Sequence, residues 1–72
     1  MERATANSII RQIEGLGYAV SVHEMGAYVE MHAVRLRGEE IPHVARCEGG
    51  DEEALYLCAG ALAKMVGIRL EG

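Results

Sequence analysis

Residues 51–67 have the sequence DEEALYLCAGALAKMVG and carry the clearest helical pattern in the chain. Asp51 is suited to the N-cap position, and Gly67 is suited to the left-handed position that ends a helix. Between them, apolar residues recur at spacings of three and four, as on one face of a helix. These residues are Leu55, Cys58, Ala59, Leu62, Met65 and Val66. Such a helix must bury its apolar face, and we expect the preceding chain to form the sheet that covers it.

The sequence before this helix predicts a second helix and three strands. The first helix has apolar residues at helical spacing, whereas the strands alternate apolar and polar residues. We expect helices at about residues 4–16 and 51–66, and strands at about residues 18–24, 28–37 and 41–48. Thr5 is one candidate for the first N-cap. The turn between the first two strands is predicted at Glu24-Met25-Gly26-Ala27, with Gly26 supplying the positive φ.

The alternation also predicts the pairing of the strands. Pairing His23 with Tyr28 sets Val20 opposite Met31, so that both face the helices. The predicted pairs between the second and third strands are Met31 with Cys47, Ala33 with Ala45, His32 with Arg46 and Val34 with Val44. Together these elements predict an α+β fold, a two-layer α-β-β-β-α arrangement. In it, a three-stranded antiparallel meander carries both helices on one face.

Length and composition limit the functional classes. The 72 residues, half of them apolar and a quarter charged, fit one globular domain, residues 1–72, with no second core. A net charge of −4 gives no overall attraction for a phosphate backbone. We expect no membrane span, because no stretch is long and apolar enough. The two cysteines fall at apolar positions, which favours a reduced, cytoplasmic protein.

The sequence predicts no catalytic, cofactor or metal site. In the predicted register His23 and His32 lie four positions apart along the strands, on the order of 13 Å, too far to share a metal ion. Cys47 and Cys58 match no ligand spacing, and we expect both to be small core residues. No serine or threonine stands in the context of a catalytic nucleophile. We therefore expect a protein that is not an enzyme.

The face of the sheet away from the helices is the candidate interaction surface. Strand alternation places six of its residues there: Tyr28, His32, Val34, Leu36, Val44 and Arg46. Nothing in the chain is left over to cover this face, and exposed apolar surface often marks an interface. Isolated surface valines and leucines are also ordinary and need no partner. The leading hypothesis is a small interaction or assembly module that uses this face or an edge strand, with a homodimer or another protein as its partner.

The order helix, three strands, helix resembles the topology of double-stranded RNA-binding domains over nearly the whole chain. That family has a lysine-rich cluster at the start of its last helix, which contacts phosphates. The corresponding segment here, residues 50–54, contains Asp51, Glu52 and Glu53, which have the opposite charge. We therefore do not carry RNA binding over, and a nucleic-acid-binding domain of this topology is the alternative hypothesis.

Overall fold

A computed structural model describes residues 5–38 and 41–69. Its elements are α1 (Ala6–Glu14), β1 (Tyr18–Glu24), β2 (Tyr28–Arg35), β3 (His43–Glu48) and α2 (Glu52–Met65). This confirms the α+β class and the predicted order of elements. Predictions for Ala4, for the turn residues Glu39 and Glu40 and for the tail from Leu70 fall outside the described residues.

The three strands form an antiparallel sheet in the order β1-β2-β3, and both helices pack on the same face of it. The α2 helix lies over β2 and β3, whereas α1 packs beside α2 and against β1. The core between the layers is aliphatic apart from one tyrosine and one cysteine. Its buried members are Ile9, Ile13, Tyr18, Val29, Met31, Ala33, Ala45, Ala54, Cys58, Ala59, Leu62 and Ala63.

Both helices begin at the predicted capping residues. The Thr5 hydroxyl accepts a hydrogen bond from the Ser8 amide, and the Ser8 hydroxyl accepts one from the Thr5 amide, so α1 starts with a capping box. The Asp51 carboxylate accepts a hydrogen bond from the Ala54 amide at 3.0 Å at the start of α2. These bonds satisfy amides that have no partner inside the helix.

Gly67 follows the C-cap residue Val66 of α2 and adopts the predicted left-handed conformation, with φ 88°. The Ile68 amide donates to the Ala63 carbonyl at 2.8 Å, and the Gly67 amide donates to the Lys64 carbonyl at 3.1 Å. Ile68 then packs against the core. This pair of bonds and the apolar contact form a Schellman motif.

The predicted register of the first hairpin is wrong by two residues. His23 pairs with Glu30, and Val20 pairs with Ala33 rather than Met31. The cause is the turn, which is shorter than expected: the Met25 amide donates to the Tyr28 carbonyl, leaving only Gly26 and Ala27 in the loop. Because side chains alternate with a period of two, a two-residue slip leaves every side chain on its predicted face.

The predicted register between β2 and β3 is also wrong by two. Met31 pairs with Ala45, and Cys47 pairs with Val29. The junction before α2 fixes this register, because the Gly49 amide donates to the Ala27 carbonyl at 2.9 Å. Gly50 lies directly against the hairpin turn, where a Cβ atom would be 2.5 Å from the Gly26 carbonyl oxygen.

The helix layer does not cover β1 along its length. Tyr18 is the one fully buried residue of this strand, while Val20 is half-buried and Val22 is 41% exposed. The sequence placed Val20 and Val22 on the buried face, and Val22 is the exception because α1 reaches mainly the beginning of the strand. Among the described helices, none is long and apolar enough to cross a lipid bilayer.

Candidate interaction surface on the outer face of the sheet

We define the outer face as the side of the sheet opposite the two helices. Alternation along the three strands places ten side chains on it. They are Ala19, Ser21 and His23 from β1, Tyr28, Glu30, His32 and Val34 from β2, and Val44, Arg46 and Glu48 from β3. Five of the six predicted surface residues belong to this set, and Leu36 follows directly after β2. No helix within residues 5–38 and 41–69 packs on this face.

Tyr28 and Arg46 form one end of the outer face. The Arg46 guanidinium carbon lies 3.8 Å from the centroid of the Tyr28 ring, a close cation–π contact. The prediction paired Arg46 with His32, but its partner across the strands is Glu30. The contact holds a flat aromatic and cationic surface in a defined position on an otherwise open sheet.

Charged and titratable groups occupy the middle of the outer face. The Nε2 atom of His32 lies 2.6 Å from Oε1 of Glu30. The hydrogen bond from His32 lowers the pKa of the Glu30 carboxyl, and the charge of Arg46 acts in the same direction. His23 lies next to this pair, and its Nε2 is 3.3 Å from the Ser21 hydroxyl. This region is polar and internally hydrogen-bonded.

The predicted separation of His23 and His32 is wrong. Their ring centroids lie 4.9 Å apart, because the two-residue shift of the hairpin brings them onto diagonally adjacent positions. His43 lies on the helix side of the sheet, where its ring contacts Tyr18 edge to face. The part of the chain that the structure describes contains no group of three or more histidine, cysteine, aspartate or glutamate side chains arranged to hold a metal ion.

Val34, Val44 and Leu36 form the apolar part of the candidate surface. Val34 is 37% exposed, Val44 is 42% exposed and Leu36 is 72% exposed. Val44 pairs with His32 rather than with Val34, so the two valines are diagonal neighbours and not direct partners. The apolar residues are thus gathered at the end of the sheet that lies away from the stacked Tyr28 and Arg46.

Glu30, Ser21 and His23 belong to the outer face but are absent from the predicted set of surface residues. Their alternation with buried neighbours was visible in the sequence and already placed them on this side. What the sequence could not show was the contact between Glu30 and His32, since both belong to one strand and their side chains meet only when the local rotamers allow it.

On the helix side of the sheet, the two cysteines are free thiols. Cys58 is fully buried, and its thiol lies 3.3 Å from the Ala45 carbonyl oxygen. Burial raises the pKa of the Cys58 thiol to about 11, and the neighbouring Cys47 thiol adds to the rise. A thiol with a raised pKa is a poor nucleophile at neutral pH. Cys47 is half-buried and packs against the core.

A shallow groove separates the starts of the two helices. It is lined mainly by Thr5, Asn7, Glu52, Glu53 and Tyr56. Its carboxylates are Glu52 and Glu53 at the start of α2, where the helix dipole stabilises them. Capping and dipole effects account for Thr5, Glu52 and Glu53 without a ligand.

No protein-family model, curated protein or solved structure matches this chain. The resemblance to double-stranded RNA-binding domains therefore remains a resemblance in the order of elements.

Proposed function

We propose that this protein is a non-catalytic interaction module that binds other protein chains through its β-sheet. The observation that carries the proposal is the outer face, which no described helix covers and on which Val34, Leu36 and Val44 are exposed. A helix layer on one face only is a common arrangement in α+β domains, and the second face is then free for a partner. The unpaired cysteines favour the cytoplasm as its location.

Energetic considerations support this proposal. A domain of this size buries only about 60% of the surface that its unfolded chain exposes, so additional burial against a partner stabilises it. Two side chains with chemical reactivity already have hydrogen-bonding partners within the chain. His32 is hydrogen-bonded to Glu30, and Cys58 is buried among carbonyl groups. This arrangement supports a binding role over a catalytic one.

The test is to place charge on the exposed valines. The double variant Val34→Glu and Val44→Glu puts two carboxylates on the apolar end of the outer face. We expect the purified variant to fold but to lose binding to other proteins, measured by affinity capture with tagged protein. A matched control is Leu57→Glu with Met65→Glu, which adds the same charge at similarly exposed positions of α2. Unchanged association in the outer-face variant, together with a strictly monomeric wild type, contradicts the proposal.

A nucleic-acid-binding function is the alternative, and the stacked pair of Tyr28 and Arg46 is the observation in its favour. Aromatic and arginine side chains on a sheet are suited to stacking against bases. Against it stand Asp51, Glu52 and Glu53 at the start of α2, which repel phosphates. This alternative predicts affinity for single-stranded or duplex RNA or DNA that falls steeply with salt. Absence of binding at low salt excludes it.

A further inference from the structure

The two edges of β1 differ in their backbone hydrogen bonding, because only one of them pairs with β2. The Leu36 amide donates to the Gly17 carbonyl, and the Met25 amide donates to the Tyr28 carbonyl. In an antiparallel ladder the hydrogen-bonded pairs alternate, so the odd-numbered residues of β1 bond to β2. The amides and carbonyls of the even-numbered residues point to the open edge: Tyr18, Val20, Val22 and Glu24. Within the described residues, no strand pairs with this side of β1.

Apart from Glu24 at its last position, the open edge of β1 lacks the features that usually prevent pairing with another strand. Exposed edges are commonly protected by charged side chains, especially lysine, by proline, by a bulge or by a very short strand. This strand has seven residues, contains neither lysine nor proline, and pairs continuously with β2 from Tyr18 to Glu24. On its helix side, Val20 is half-buried and Val22 is 41% exposed, so apolar surface adjoins the free backbone groups.

We propose that β1 pairs antiparallel with β1 of a second copy of this chain, about a two-fold axis perpendicular to the sheet. The two three-stranded sheets then form one sheet of six strands, and all four helices lie on the same face. This inference rests on the proposed function, since it names the first partner of the module and the edge that it uses. A two-fold axis closes the assembly as a dimer and leaves both outer faces open.

The register follows from the residues whose amides and carbonyls point to the open edge, which we call the outward-pointing residues. Centring the axis on Ser21 pairs Tyr18 with Glu24 of the second copy and Val20 with Val22 of the second copy. All four outward-pointing residues of each strand then find a partner, which gives about eight hydrogen bonds between the copies. Each exposed Val22 is covered by a valine across the strands, and no like charges face each other. Shifting the axis by one residue in either direction leaves outward-pointing residues without partners.

The opposite edge of the sheet does not offer an equivalent surface. In β3 the amides and carbonyls of Val44, Arg46 and Glu48 point to the open edge. This follows from the alternation of the ladder, because the Gly49 amide donates to the Ala27 carbonyl on the β2 side. Self-pairing centred on Arg46 sets two guanidinium groups directly opposite each other, which is unfavourable. Moving the axis toward the start of the strand brings Pro42, which has no amide hydrogen, into a bonding position. The second copy therefore fits β1 and not β3.

A matched pair of variants tests the assignment. Val22→Lys places charge at the β1 edge, and Val44→Lys makes the same change at the β3 edge, where the valine has nearly equal exposure, 42% against 41%. We expect the wild type to form dimers in concentration-dependent light scattering. We expect Val22→Lys to weaken the dimer at least tenfold and Val44→Lys to leave it unchanged. Circular dichroism and thermal melting establish that both variants fold.

Cross-linking provides a second test that does not require a destabilising change. In the proposed register Ser21 and Ser21 of the second copy form a non-hydrogen-bonded pair, with Cα atoms about 4.5 Å apart, which suits a disulfide. Ser21→Cys should therefore form a covalent dimer with oxidised glutathione as the oxidant. Ala19→Cys is the control, because its two copies lie four positions apart along the strands, on the order of 13 Å. The wild type, with Cys47 and Cys58, gives the background.

The outcomes separate this inference from the proposed function. A dimer that Val22→Lys disrupts, with cross-linking at Ser21→Cys but not at Ala19→Cys, supports the β1 interface. A monomeric wild type without cross-linking overturns it, and so does a dimer that Val44→Lys disrupts instead. In either of those cases the proposed function stands or fails separately, by whether the variant Val34→Glu with Val44→Glu loses binding to other proteins.

Discussion

The two edges of this sheet are built from strands of similar length, yet they differ in the helix that packs on them and in the residues that flank them. At β3, α2 packs over the strand, Pro42 precedes it and Arg46 and Glu48 point outward. At β1, Tyr18 is the one buried residue of the strand, and the strand contains neither proline nor lysine. Both edges have free backbone groups, but at β3 they lie beside Pro42 and charged side chains, whereas at β1 they lie beside the exposed Val22.

The helix layer differs between the two edges as well. The α2 helix has 14 residues and a capped start anchored against the hairpin turn, so it lies firmly over the β3 side. The α1 helix has nine residues, and Tyr18 is the one buried residue of the strand that it packs against.

Amide hydrogen exchange should show the largest difference between the edges. We expect the amides of Ser21 and His23, which bond to β2, to be protected about a thousandfold or more, as in a stable core ladder. The amides of Val20 and Val22 should exchange rapidly in dilute protein and become protected as the concentration rises. The Arg46 amide at the other edge should remain unprotected throughout, which makes it the internal control. Protection of Arg46 with rising concentration would reverse the comparison.

A substitution at the junction that anchors α2 should have the next largest effect. Gly50→Ala places a Cβ atom 2.5 Å from the Gly26 carbonyl oxygen, so the helix start must move away from the hairpin turn. We expect a loss of about 1–3 kcal/mol in the free energy of unfolding, measured by urea denaturation. Gly15→Ala is the control, because Gly15 has helical φ and a Cβ there makes ordinary contacts. Equal stability of the two variants contradicts the anchoring role of Gly50.

The smallest effect should come from Glu30, which lies in the middle strand and belongs to neither edge. The folded state lowers the pKa of its carboxyl, chiefly through the hydrogen bond from His32. Such a group stabilises the fold above its ordinary pKa, 4.5, and this contribution is lost as the pH falls through the lowered value. Glu30→Gln should therefore lower the melting temperature slightly at pH 6, and the difference from the wild type should shrink as the pH falls through the lowered pKa of Glu30. Glu24→Gln, which removes a carboxylate from β1 and leaves the hydrogen bond between Glu30 and His32 intact, is the matched control for the change of charge.

The sequence predicted the elements well because their signals are local. Thr5, Asp51 and Gly67 define helix ends through short-range hydrogen bonds, and the structure has all three in these roles. Strand alternation also placed side chains on the correct faces. That success did not require the correct register, since a shift of two residues preserves the faces and changes only the partners.

The errors arose where geometry depends on contacts between elements. The loop of Gly26 and Ala27 is two residues shorter than predicted, and this moved His23 next to His32. The exposure of Val22 depends on how far α1 extends over the sheet, which no pattern within β1 reveals. Candidate surface residues could therefore be predicted as a set, while their mutual contacts could not.

The stacking of Arg46 on Tyr28 has a practical consequence for spectroscopy. The chain has no tryptophan and no phenylalanine, so its near-ultraviolet signal comes mainly from three tyrosines. Each occupies a different environment: Tyr18 lies in the core, Tyr28 on the outer face and Tyr56 half-buried on α2. The molecule thus carries separate optical reporters of its interior, its open face and its helix layer, and single tyrosine-to-leucine variants can assign the signal of each.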